Sequence, residues 1–318
     1  MKTVVSVQDL LEFEIKPNDL LQQFRELSQS AVAERWGNGA GLIDAACPAC
    51  DGKDREPAFE RSGLQYQLCR DCGSLYVSPR PSQAALDEYF AASVPSRFWR
   101  ERVLPATETA RREKLAVPRA QWVADGIAEH GSPQACIVDV SSHGRPLVDA
   151  MLAEIADTRE VTAAASIEGV AGPVDVVTAF DVLDRVADVA AFARQAHRAL
   201  RPGGLLFITA PASSGFELQV LWDRSGYIAP PEKLNLLSAD GFLRRFRGPA
   251  WDVIELSTPG VLDVDNVRRA VDASPEHDWP RFVRQLVAQR PEALAAFQEF
   301  LQQHRLASFA RLVVRKVA

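Results

Sequence analysis

Residues 174–211 read VDVVTAFDVLDRVADVAAFARQAHRALRPGGLLFITAP, and no other stretch narrows the fold as sharply. Two runs of β-branched and apolar residues, 174–180 and 205–211, flank a helical segment that opens at Asp188 and stops at Arg201-Pro-Gly-Gly204. Strands joined through such a crossover helix lie parallel in one sheet. Cys136-Ile-Val-Asp-Val starts an earlier strand, 136–141, and Trp251–Ser257 and Ala310–Val317 supply two later ones. Residues 264–305, between those last two, read as helical. The fold class expected is therefore α/β.

Four of the five cysteines form two knuckles, Cys47-Pro-Ala-Cys50 and Cys69-Arg-Asp-Cys72-Gly73. Each offers two thiolates to one side of a tight turn, and two knuckles close a tetrahedron around Zn²⁺. Disulfides are the alternative, and a chain without an export signal disfavours them. Four thiolates leave no open position for water or substrate, so the metal expected here is structural. Cys136 stands apart and is expected to be a small core residue.

At 318 residues and net charge -6, the chain has room for one large domain or a central domain with appendages. No signal-peptide pattern and no membrane-length apolar run is evident, so a cytoplasmic location without a membrane span is expected. The acidic balance argues against nucleic acid, and Arg244, Arg245 and Arg247 read as a solvated helix face. Residues 1–45 suggest a helical arm carrying Leu20, Leu21, Phe24 and Leu27, ended by the breaker run Gly37-Asn-Gly-Ala-Gly41. The ribbon occupies 46–80. A connector, 81–130, begins with a helix carrying Leu86, Tyr89 and Phe90 that Ser82 can cap. The α/β domain fills 131–318, with its helical insertion at about 264–305.

The order of CPAC, CRDCG, SPRP, YF, SRFW, TARREK, PRAQWV, FDVLDR, LRPGG and STPGVLDVDNV resembles the zinc-ribbon class I S-adenosylmethionine (SAM)-dependent methyltransferases. It is similar to sugar C-methyltransferases and to enzymes of surface-polysaccharide and specialised-metabolite pathways. The resemblance implies a Rossmann-like sheet with an antiparallel hairpin at its edge. It also implies a methyl donor at the carboxyl edge of the parallel strands, and a ribbon and arm that help cover a small acceptor. On this basis Asp139, Ser141, Gly144 and Asp181 fall in the donor region, and Lys233, Asp184 and Arg185 near the acceptor.

The departures from that pattern fall on chemistry. Ser141, His143 and Arg145 stand where glycines let the backbone approach SAM, and only Gly144 remains nearby. Between the helix near 146–157 and the strand at Val174 there is room for one strand, where the family has two and a helix. The acid that binds the ribose has no clear counterpart, and Glu160 or Glu168 would have to be displaced to serve. Relatives tend to read Leu-Glu-His and Pro-x-His-Leu-Asn; this chain has Leu183-Asp184-Arg185 and Pro231-Glu232-Lys233-Leu234-Asn235. Arginine cannot take over proton transfer from histidine, and lysine can do so only with a lowered pKa. Two functions follow: a methyltransferase of a sugar, nucleotide-sugar or related metabolite with an atypical SAM site, or a degenerate fold that does not use SAM. The second would be a partner or scaffold of an active paralogue, or an enzyme of another reaction. On the first reading, Lys233 and Arg185 present mobile positive charge to an anionic or phosphorylated ligand.

Overall fold

The computed structural model describes residues 5, 10–132, 134–141, 145–154 and 160–317. After a short turn, α1 (Glu12–Ile15), comes the arm helix α2 (Asn18–Trp36), which buries Phe24, Ser28, Val32 and Trp36 at four-residue spacing. That stripe is rotated from the sequence expectation, and Leu20, Leu21 and Leu27 lie at its margins, half-buried. β1 (Leu42–Ile43) pairs with β5 (Arg80–Pro81). Between them the ribbon forms β2 (Arg55–Arg61), β3 (Leu64–Cys69) and β4 (Leu75–Val77).

The connector runs through α3 (Gln83–Ala92), α4 (Val94–Phe98), α5 (Leu104–Ala106) and α6 (Glu108–Arg111) into α7 (Val117–His130). Ser82 caps α3 by accepting the Ala85 amide at 3.3 Å. The sheet then begins with β6 (Cys136–Asp139), α8 (Arg145–Glu154) and β7 (Glu160–Ala163), followed by β8 (Val174–Phe180), α9 (Val189–Ala199) and β9 (Leu200–Pro211). Asp188 Oδ1 accepts the Ala191 amide at 2.8 Å and starts α9, whose buried Val189, Phe192, Ala193, Ala196 and Ala199 recur at helical spacing. Next come α10 (Phe216–Leu221), β10 (Asn235–Leu236), α11 (Ala239–Phe246) and β11 (Trp251–Ser257). The helices α12 (Asp263–Ala273), α13 (Arg281–Val287) and α14 (Pro291–Gln303) precede the last strand, β12 (Phe309–Lys316).

The main sheet has the order β11-β12-β9-β8-β6-β7. β7, β6, β8 and β9 are parallel, and β12 runs antiparallel between β9 and β11. β8 is buried along almost its whole length because both sheet faces are covered. On one face Trp122, Val123 and Ile127 of α7 and Leu147 and Met151 of α8 pack on Val176, Phe180 and Phe207. Trp122 stacks on Phe180 at 5.8 Å and meets Phe207 edge-on at 5.2 Å. On the other face α9 and α11 share a core with ribbon residues Cys47, Cys69 and Cys72. β10 also leaves the main domain to pair with β4, which makes it the fourth strand of the ribbon sheet. Cys136 is half-buried at the start of β6, less enclosed than the sequence suggests. Among the described residues no helix is long and apolar enough to cross a membrane.

Candidate active site at the carboxyl edge of the sheet

The Sγ atoms of Cys47, Cys50, Cys69 and Cys72 all lie within 4.8 Å of one another, and two pairs, Cys47 with Cys72 and Cys50 with Cys69, stand 3.6 Å apart. A tetrahedron with zinc–sulfur bonds of about 2.3 Å has edges of roughly 3.8 Å, so the four donors fit zinc. Ser238 Oγ donates to the Cys72 carbonyl, Ser213 Oγ donates to the Gly73 carbonyl at 2.9 Å, and Arg245 reaches Pro48 and Asp51. Arg245 therefore fastens the ribbon to α11 and is not the freely solvated group the sequence suggests.

Asp139 ends β6 with only 1% of its surface exposed. Its Oδ1 accepts from Thr178 Oγ1 at 2.6 Å and from the amide and hydroxyl of Ser141. Ser141 Oγ in turn accepts the Phe180 amide at 2.8 Å, so one hydroxyl joins the ends of β6 and β8. Gly144 and His143 lie outside the described residues. Asp181 follows β8 in the left-handed region, at φ 56, a conformation that aspartate tolerates better than most residues. Arg119 Nη2 donates to Asp181 Oδ2 at 2.8 Å, and Thr209 Oγ1 donates to Oδ1 at 3.2 Å.

The end of β7 is different. Ala163, Ala164, Ala165 and Ser166 follow one another there, so the described residues place no carboxylate where a ribose would be held. Glu160 pairs in register with Cys136 at the far, amino end of the strand, and Glu168 sits on a turn beside α9. Among the described residues a single short strand stands between α8 and β8. Among the described residues none supplies the acid that would hold the ribose, so the adenosine half of SAM would have to be held by other groups.

Lys233, Asp184 and Arg185 come together, but as a fastening. Asp184 is completely buried, its Oδ2 is paired with Lys233 Nζ, and its carbonyl accepts the amides of Leu234 and Asn235. Tyr66 hydroxyl donates to the Lys233 carbonyl at 2.6 Å, tying the same loop to β3. Arg185 lies over the Phe90 ring at 4.5 Å. The mobile positive charge expected from the sequence is thus held in place on both side chains. Asn235 adds bonds to the carbonyls of Leu183 and Val186 and accepts from Arg80 at 2.7 Å.

Beside this fastening lie polar groups that the residue pattern did not single out. Glu232 Oε2, Tyr89 OH, Ser28 Oγ and Asp184 Oδ1 are all shut off from solvent and none is in a well-formed hydrogen bond among the described residues, although Tyr89 OH lies within reach of Ser28, Ser93 and Glu232. Burial pushes Glu232 up to about 7 and raises Tyr89, on which Glu232 also acts electrostatically. The sequence signal for Glu232 is its place in Pro231-Glu232-Lys233, beside the lysine that departs from the resembled pattern. Arg111 and Arg119 line a cavity of about 250 Å³ between the connector and α8, with Leu104, Leu115 and Leu147 as apolar wall and Glu108 at the rim. Glu217 on α10 is 2% exposed and bonded to Ser225 and Asn266; burial, and then the charge of Asp263, push it up to about 7.

Among curated proteins none matches this chain. Solved structures similar to it include SAM-dependent methyltransferases from Thiobacillus denitrificans and Geobacter sulfurreducens, each in complex with S-adenosyl-L-homocysteine. The first is 16% identical, with 63% of this chain and 91% of that one covered and a TM-score of 0.36. The second is 15% identical, with 63% and 90% covered and a TM-score of 0.33. Coclaurine N-methyltransferase bound to N-methylheliamine and S-adenosyl-L-homocysteine is 11% identical, with 95% and 88% covered and a TM-score of 0.38. Scores at this level leave the reading of the site to its own residues. The family described as "Methyltransferase domain" matches residues 119–256, the stretch from α7 through β11, which carries five of the six strands of the main α/β sheet.

Proposed function

We propose that this chain is a methyltransferase of a small, hydroxyl-rich metabolite, a sugar or nucleotide-sugar, with an atypical SAM site. The observation that supports the acceptor class is the orphaned polar set of Glu232, Tyr89, Ser28 and Asp184. Each buried polar atom left unpaired costs about 1–3 kcal/mol, a cost that a polyhydroxylated ligand relieves and an apolar one does not. Glu232 is the group placed to take a proton, at Oε2, and its carboxyl titrates at about 7, where a general base works best. The Lys233–Asp184 pair neutralises itself, so these buried groups present little net charge to an uncharged sugar ring.

The test is transfer of labelled methyl from SAM, at high donor concentration, to a panel of nucleotide-sugars. A general base acts deprotonated, so the rate should rise with pH through about 7. Glu232→Gln should lose about a hundredfold or more with the melting temperature unchanged. Failure of transfer with every acceptor and at every donor concentration would sink the proposal. A second reading, a non-catalytic partner of an active relative, would then stand, and the missing carboxylate at the end of β7 already favours it.

A further inference from the structure

Three arginines converge on the side of the cleft away from the ribbon. Arg111 and Arg119 both line the 250 Å³ cavity. Arg311, on β12, lies beyond them with its guanidinium over Trp122 at 5.0 Å. Three carboxylates stand near them, Asp181, Glu255 and Glu108 at the cavity rim, but among the described residues only Asp181 is ion-paired with one of the three. Asp181 is bonded by Arg119 alone among the three. Glu255 spends its oxygens on Trp122 Nε1 and Ser257 Oγ, and acts on Arg311 only through space. Arg111 is held by neutral acceptors, Thr107 Oγ1 and the Ile15 carbonyl, each at 2.8 Å. Arg311 Nε is buried and makes no hydrogen bond among the described residues. Burial brings Arg111 and Arg311 down to about 10; Asp181 acts on Arg111 and Glu255 on Arg311 in the opposite direction, and the positive charge of Arg119 adds a smaller lowering on both. Arg111 and Arg311 are half-buried without a direct ion pair among the described residues, and an anionic ligand can supply one. The same two arginines that line the cavity have bonding capacity left. Arg119 spends only Nη2 on Asp181, and Arg111 leaves Nη1 without a hydrogen bond among the described residues.

We propose that this cavity binds the oxyanion group, carboxylate or phosphate, of a small-molecule ligand other than the methyl donor, clamped between Arg111 and Arg119. Planar guanidinium forks match such groups in a bidentate manner. The apolar wall of Leu104, Leu115 and Leu147 suits the carbon stem that carries the group. Arg311 adds long-range attraction from behind Trp122. The proposal does not rest on methyl transfer, since anion binding is measured without a methyl donor.

The experiment is calorimetric titration of the zinc-loaded protein with inorganic phosphate at constant ionic strength. Wild type should bind, and Arg111→Met should weaken binding at least tenfold while Arg111→Lys recovers part of it. Glu108→Gln, which removes a negative charge at the rim, should tighten it. A structural role for Arg111 would not produce that opposite sign at Glu108. Two further arms identify the source of the oxyanion: S-adenosylhomocysteine, which carries a carboxylate, and methylthioadenosine, which does not. Phosphate binding that is unchanged by saturating S-adenosylhomocysteine supports a site for the acceptor. Displacement of phosphate by S-adenosylhomocysteine, with Arg111→Met weakening that compound and leaving methylthioadenosine untouched, assigns the clamp to the donor and overturns the proposal. Absence of phosphate binding, or equal binding by wild type and Arg111→Met, overturns it as well.

Discussion

Lys233 and Asp184 share an ion pair in which the carboxylate is fully buried and the lysine side chain is 23% exposed. Removing the lysine strands the buried charge, so Lys233→Ala should lower stability by about 3–5 kcal/mol, read as a fall in melting temperature. Replacing both, Lys233→Met with Asp184→Leu, should recover most of that loss. An unchanged melting temperature in Lys233→Ala would restore the picture of a free surface cation. Glu217 gives a pH signature. Its folded pKa of about 7 lies above the ordinary carboxylate value of 4.5, so the fold favours the protonated form. Its contribution is fully present below about 4.5 and is lost as pH rises through about 7, and Glu217→Gln should flatten the stability profile across that window. Denaturation curves at several pH values check this. Asp139, Asp181 and the four cysteines were legible as residues because strand ends and CxxC spacing mark them. Arg119 and Glu232 were not, since an arginine on a helix and a glutamate in a loop acquire meaning only from what encloses them.

At the scale of elements, the ribbon is part of the core. Cys47, Cys69 and Cys72 pack with Leu237 and Phe242, and β10 extends the ribbon sheet. Metal analysis of protein purified without chelator should find about one zinc per chain, and chelation should loosen α11 and β10 together with the knuckles. Hydrogen exchange that rises only within 46–80 would contradict that coupling. Gly215 opens α10 against the chain before β12, where a Cβ would stand 2.2 Å from Ser308 Cα and 2.5 Å from its nitrogen. Both atoms are backbone, so Gly215→Ala should destabilise by about 1–3 kcal/mol or more and shift Glu217 with the helix. The strands and the caps at Ser82 and Asp188 were readable from residue pattern. The rotated face of α2 was not, because Ser28 is buried at the junction with α3 and a stripe of apolar residues alone points elsewhere.

Across the whole molecule, the helices inside the edge hairpin and the single strand between α8 and β8 both follow from counting residues, since a strand and a helix need a minimum of chain. What the count leaves open is which polar groups the surrounding layers enclose, and those decide the chemistry. The α7–α8 face carries the arginine-lined cavity, while the ribbon and arm cover the orphaned polar set around Glu232. Between them the sheet edge keeps Asp139 and Asp181 but offers Ala163 to Ser166 where a ribose would need an acid. Calorimetric titration of the zinc-loaded protein with S-adenosylhomocysteine tests that central claim most directly. Every tenfold in affinity is about 1.4 kcal/mol, so the loss of the ribose contacts predicts a dissociation constant weaker than about 100 μM. A low-micromolar constant would show that other residues hold the adenosine half and would contradict the account.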